Sequence, residues 1–216
     1  MNSLGMIEVY GFTTALCVED LMVKAANVRL IAFDRNRPFS PNIPAPLIMA
    51  VKIEGSTADV ESAVSVGKAY TEEKGRYIVS HIIPRPDDDA EKMAYLCDIN
   101  RDKYNKHMPK TMKNVSSDGI EFSGALGILE VEGYVCSVVG LDAMLKAANV
   151  RLIHKEERLG GRLVTLVITG EVSAVKAAVE AGDTIASKLG KIYGREIIAR
   201  PHGELLKFFD LEAIEK

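Results

Sequence analysis

The chain is 216 residues long, enough for two domains of about 100 residues each, and its 47% apolar and 26% charged residues describe an ordinary globular protein. A net charge of −3 gives no general electrostatic reason to bind nucleic acid or an anionic membrane, and the absence of Trp argues against broad stacking platforms. No apolar run reaches the roughly 18 residues that span a bilayer, and no signal sequence is visible at the start. Cys17, Cys97 and Cys136 lack CxxC or CxxH spacing, so they are expected to be reduced thiols in a cytoplasmic setting, forming neither a disulfide nor a zinc site.

Gly5–Tyr10 is β-like, and Thr14–Ala26 follows at helical spacing with Leu16, Leu21 and Ala25 on one face. Asn27 stands where that helix should stop, since Asn tolerates left-handed backbone. Val28–Phe33 predicts a strand. The loop Asp34–Pro46 then carries four prolines between Pro38 and Pro46; they cannot extend a central strand and make a stiff, bulky loop. Leu47–Ile53 reads as a strand ending at Gly55, and Ser56–Lys74 as an amphipathic helix capped by Ser56 or Thr57. Arg76–Ile83 is a strand halted before Arg85-Pro86. Ala90–Ile99 is a short helical pattern, and Asp87–Asp89 ahead of it suit a helix N-terminus. Asn100–Ser123 is polar and reads as a linker.

The second half runs through the same order. Gly127–Glu132 is β-like, and Ser137–Ala148 is helical through Val138, Leu141, Leu145 and Ala148, with Asn149 at its stop. Val150–His154 and Leu163–Thr169 are strands, joined by Lys155–Arg162 with a Gly160-Gly161 turn. Glu171–Leu189 is a helix with Ser173 available as cap, Lys191–Ala199 a strand, and Glu204–Ile214 a last helical pattern.

The agreement is one of identity as well as order. "KAANVRLI" occurs at Lys24–Ile31 and again at Lys146–Ile153, and Leu4–Ile31 matches Leu126–Ile153 at 15 of 28 positions at an offset of 122. Beyond Gly55/Gly170 the offset is 115, so the first copy carries a loop seven residues longer. Each copy is β-α-β-β-α-β, which builds a four-stranded sheet with two helices on one face, and the short helix after each Arg-Pro can cover the other. The fold class is therefore α/β, an α+β sandwich of two tandem ferredoxin-like domains, at residues 1-100 and 124-216, joined by a linker at 101-123.

No catalytic constellation is present. His81, His107, His154 and His202 are scattered, and neither a Ser-His-Asp nor an HExxH spacing, a GxGxxG or a P-loop occurs. No catalytic residue, metal site or cofactor is expected.

"LGILEVEGYVCSVVGLDAMLKAANVRLI", a Gly-Gly loop, "LVTLVITGEVSAVKAAVEAG" and "IIARPHGEL" together resemble a bacterial microcompartment (BMC) shell domain. "LGMIEVYGFTTALCVEDLMVKAANVRLI" through "SHIIPRP" resembles it nearly as well, departing in the long loop. Two such domains, each beginning at the Gly-x-x-Glu strand, resemble the non-permuted, tandem-domain, trimer-forming class of shell protein. The resemblance implies a structural protein, not an enzyme. It implies a homotrimer, or pseudohexamer, that tiles edge to edge with other shell proteins in the cytoplasmic microcompartment shell, around encapsulated enzymes. It further implies tile-edge contacts at Lys24, Asn27, Arg85, Lys146, Asn149 and Arg200. Small metabolites would cross a central pore lined by Arg35, Asn36, Arg37, Phe39, Ser40 and Asn42 from one copy and by Arg158, Leu159, Gly160, Gly161 and Arg162 from the other. Each loop sums to about +1, which would favour anionic metabolites. Some tandem members hold an iron–sulfur cluster through a loop cysteine; neither loop here has one. The competing readings are a small-molecule-binding regulatory trimer of ferredoxin-like repeats and, more remotely, an enzyme with a site between the domains.

Overall fold

A computed structural model of the chain describes residues 2–36, 43–96, 99, 122–156 and 162–209. It divides into two compact units, one of Met1–Tyr10 with Thr14–Gly119 and one of Gly11–Thr13 with Ile120–Lys216.

The first unit holds, in order, β1 (Ser3–Tyr10), α1 (Phe12–Ala25, apart from its first two residues, which fall in the second unit), β2 (Val28–Asn36), β3 (Ile48–Gly55), α2 (Thr57–Glu73), β4 (Tyr77–Ile83) and α3 (Asp88–Leu96). The second holds β5 (Ala125–Glu132), α4 (Tyr134–Ala147), β6 (Val150–Glu156), β7 (Leu163–Gly170), α5 (Val172–Ala186), β8 (Ile192–Ile198) and α6 (Gly203–Leu206). The sheets are ordered β2-β3-β1-β4 and β6-β7-β5-β8, every neighbouring pair antiparallel. This is the ferredoxin-like arrangement, present twice.

The glycines shared by the copies set how closely the helices lie on their sheets. A side-chain carbon at Gly5 would stand 2.6 Å from Val60 and crowd Ile53 and Val64; at Gly127 it would stand 2.7 Å from Val175 and Val179 and crowd Ile168. These partners are repeat equivalents of one another. Met22 packs on Gly67 as Met144 packs on Gly182. Backbone close approach at these points is what fixes the residue identities in both halves.

Several local expectations are corrected. Asn27 and Asn149 do not adopt left-handed backbone; among the described residues only Arg162, besides glycines, has positive φ. The second copy's helix instead ends by going extended at Ala148 (φ −157°, ψ 164°), and the amides of Val28 and Val150 donate to the carbonyls of Ala26 and Ala148. Ser56 does cap α2, its hydroxyl accepting the Asp59 N–H at 3.2 Å. Ser173 caps nothing: Glu171 occupies the N-cap of α5 and makes no side-chain cap bond, leaving Ser173 inside the helix. Both first helices start earlier than periodicity indicates, at Phe12 and Tyr134, directly after Gly11 (φ 89°) and Gly133 (φ 95°). In α4, Val138 and Leu145 are exposed, and the buried face runs instead through Cys136, Gly140 and Met144.

The other sheet face is covered as expected in the first unit. Ala94 and Tyr95 of α3 pack with Leu4, Met6, Ile31, Ala32 and Ile83. Asp87 starts this helix, its carboxylate accepting the Asp89 N–H at 3.0 Å. In the second unit α6 is only Gly203–Leu206; Lys207–Phe209 of the expected helix form a turn that puts buried Phe208 and Phe209 against the His154 ring, and residues 210–214 lie outside the described residues.

Candidate functional site

Lys24, Asn27, Lys146 and Asn149 lie where each first helix hands over to its second strand, whereas Arg85 and Arg200 follow β4 and β8. Lys24, on the last turn of α1, pairs with Asp20 one turn earlier; Lys146 on α4 donates to Asp142 at 2.6 Å. The pairs are alike in spacing but not in setting. Asp20 is buried, whereas Asp142 and Lys146 are both exposed, where water screens such a pair and leaves it worth well under 1 kcal/mol. Asn27, Arg85, Asn149 and Arg200 are all exposed. Asn27 also donates its backbone N–H to Asp59 Oδ1 at 3.4 Å.

Of the expected loop residues, Arg35 and Asn36 lie at the opposite end of the second strand. Arg35 and Asn36 are exposed and form the end of β2, paired with Met49 and Ile48, so they belong to the hairpin's strand and not to a free loop. A nine-residue strand puts them about 25 Å from Asn27. Arg162 sits just before β7 with φ 62°. Its carbonyl accepts the Gly133 N–H at 2.7 Å, and its guanidinium lies 3.8 Å from Glu132. Arg37, Phe39, Ser40, Asn42, Arg158, Leu159, Gly160 and Gly161 lie outside the described residues, as does Cys97. Cys17 and Cys136 are buried, and burial, with Glu132 nearby, pushes the Cys136 thiol above its ordinary range.

Two polar arrangements escaped the sequence analysis. On the α3 side of the first sheet, Lys52 and Glu54 are buried strand residues. Lys52 donates to the Ala94 carbonyl at 3.2 Å and lies 3.7 Å from Asp34. Glu54 is held by Arg29 and by the Tyr95 hydroxyl. Burial raises the Tyr95 phenol's pKa, against the opposing pull of the Arg29 guanidinium. The repeat equivalents of Lys52 and Glu54 are Val167 and Thr169, so β7 carries no such pair of charges. A charge pair alternating with apolar Val51 and Ile53 in a strand reads as a solvent face, which is why the sequence does not disclose this layer.

The second is Glu130, fully buried on β5. Within the second unit its carboxylate accepts the N–H groups of Phe12 at 3.2 Å and Thr13 at 3.1 Å, the opening amides of α1. Its repeat equivalent, Glu8, is half-buried. The Glu8/Glu130 identity was visible in the repeat, but identity alone does not disclose a capping role.

Among the described residues no group of three His, Cys, Asp or Glu side chains is placed to hold a metal, and no helix is long and apolar enough to cross a membrane.

The model of the BMC domain family matches residues 3–86 and 125–201. The carboxysome assembly protein CcmO of Synechococcus elongatus is 32% identical over 205 residues, covering 95% of this chain and 67% of that protein. The bacterial microcompartment shell protein EutM of Salmonella typhimurium is 40% identical over 87 residues, covering 40% of this chain and 90% of EutM. A crystal structure of a microcompartment protein from Desulfitobacterium hafniense is 25% identical and covers 95% of this chain and 98% of its own, with a TM-score of 0.37. The chain thus belongs to the BMC domain family and carries that domain twice. It spans about two thirds of the length of CcmO and is homologous to microcompartment shell proteins.

Proposed function

We propose that the chain is a non-enzymatic building block of a bacterial microcompartment shell, acting in the cytoplasm as a homotrimer whose six BMC domains form a pseudohexameric tile. The observation that carries this reading is the pair of complete BMC domains in one chain, each with its full β-α-β-β-α-β order. Closed cyclic assembly is a common solution for such repeats. Lys24, Asn27, Arg85, Lys146, Asn149 and Arg200 form the tile edge, where each lysine retains N–H donors beyond its aspartate for a neighbouring shell protein. Arg35, Asn36 and Arg162, with the loops that follow β2 and β6, line a central pore for small metabolites. A ring of arginines there favours anions. Encapsulated enzymes are the partners on one face.

Exposed Lys24 and Lys146 support the edge role, and the separation of Arg35 from Asn27 along β2 supports distinct edge and pore regions. The test is electron microscopy of the purified chain, alone and mixed with a single-domain shell protein. Flat ordered layers support the reading; discrete particles under every condition refute it.

A further inference from the structure

The two copies differ in how the start of the first helix is treated. In the second unit, Glu130 accepts the Phe12 and Thr13 amides, and Thr13 packs on Gly194: a side-chain carbon at Gly194 would meet it at 2.7 Å. Phe12 and Thr13 are buried. Their repeat equivalents are Tyr134 and Val135, at the start of α4, which are 61% and 70% exposed. No side chain caps α4, and its opening amides have no acceptor among the described residues. A cavity of about 640 Å³ opens beside them, bordered by Tyr134, Val135, Arg162 and Leu189. The matching receptor is likewise unused. The carboxylate of Glu8, the equivalent of Glu130, makes no hydrogen bond or ion pair among the described residues, and Val79, the equivalent of Gly194, is 49% exposed. Both registers agree, since Glu8 pairs with Val79 as Glu130 pairs with Gly194.

We infer that the start of α4 is an interface for a second copy of this chain, in which Glu8 of one copy accepts the Tyr134 and Val135 amides of the next and Val79 packs on Val135. The chain contains one instance of this contact, with its own Phe12, Thr13 and Glu130, and leaves the complementary halves of another exposed. Charge complementarity selects the occupant. A helix N-terminus favours a carboxylate, and Glu8 supplies one beside an exposed apolar side chain that can cover Val135. Each copy has one donor end and one receptor, so the contact is head-to-tail and builds a ring if it closes. The inference rests on the trimer reading and names the residues that close it.

The test measures oligomeric mass against concentration for the unaltered chain, Glu8→Gln, Val135→Glu and the double variant Glu8→Lys/Val135→Glu, with circular dichroism confirming that each is folded. The exposure of Val135 makes its substitution harmless to the single chain. The unaltered chain is expected to be a trimer. Glu8→Gln should raise the concentration at which it dissociates about tenfold, the cost of losing a charged hydrogen bond. Val135→Glu, which sets a second carboxylate against Glu8, should raise it further, and the double variant should recover part of the loss. If Glu8→Gln and Val135→Glu assemble like the unaltered chain, the interface is wrong and the trimer stands. If the unaltered chain is monomeric at every concentration, the trimer reading itself fails and takes the inference with it.

Discussion

The carbonyl oxygen of Asn149 lies 2.9 Å from where a side-chain carbon on Gly170 would stand. The same relationship holds at 3.0 Å between Asn27 and Gly55. The corner after each first helix therefore crosses the end of the third strand of its unit with no room for a methyl group. Gly170→Ala and Gly55→Ala should each destabilise the fold by about 1–3 kcal/mol, because backbone, not a mobile side chain, must give way. Urea denaturation checks this, with Gly170→Ala the more damaging of the two.

That corner also explains why "KAANVRLI" stands in both halves. Lys24/Lys146 lie on the last helical turn, the asparagine carbonyl meets the glycine, and Val28/Val150 pack on the same glycine. Element order, sheet composition and the helix-bearing face were legible because periodicity and glycine placement are local signals. The position of the stop after each helix is legible in the repeat, but left-handed asparagine does not make it: in the second copy the backbone goes extended at Ala148, and in both copies the next strand's first amide bonds back across the corner. The roles of Glu54, Lys52 and Glu130 were not legible. Each is a charged residue that a strand pattern assigns to solvent, and each is buried by an element distant in sequence.

Glu54 should behave as a fastener for α3. Glu54→Ala removes the acceptor for Arg29 and Tyr95 and should cost about 1–3 kcal/mol, since Arg29 keeps partial access to water. Hydrogen exchange over Asp88–Leu96 should quicken by more than exchange in α2. Equal protection of α3 in the variant and the unaltered chain would contradict the assignment.

His154 predicts a pH dependence. Burial against Phe208 and Phe209 lowers its pKa, Glu156 opposes only in part, and Nε2 is buried without a hydrogen-bond partner among the described residues. The unfolded chain therefore binds a proton more readily than the folded one. The stability this site contributes is full above the ordinary histidine value of about 6.5 and declines as pH falls from there through the lower folded value. His154→Phe should flatten this part of the stability profile, which thermal melts between pH 5 and 8 would reveal.

The edge and ring contacts should separate cleanly. Lys24→Asp combined with Lys146→Asp leaves the start of α4 untouched, so native mass should remain that of a trimer, three times 23.6 kDa, while ordered layers vanish. Loss of the trimer in this variant would mean that the lysines do not lie at an outer edge.

The most direct test of the central claim is electron microscopy of the unaltered chain at high concentration, alone and with a single-domain shell protein. The account predicts flat layers of six-sided tiles, each with the mass of three chains. Isolated particles in every mixture, with no layer or shell, would contradict it.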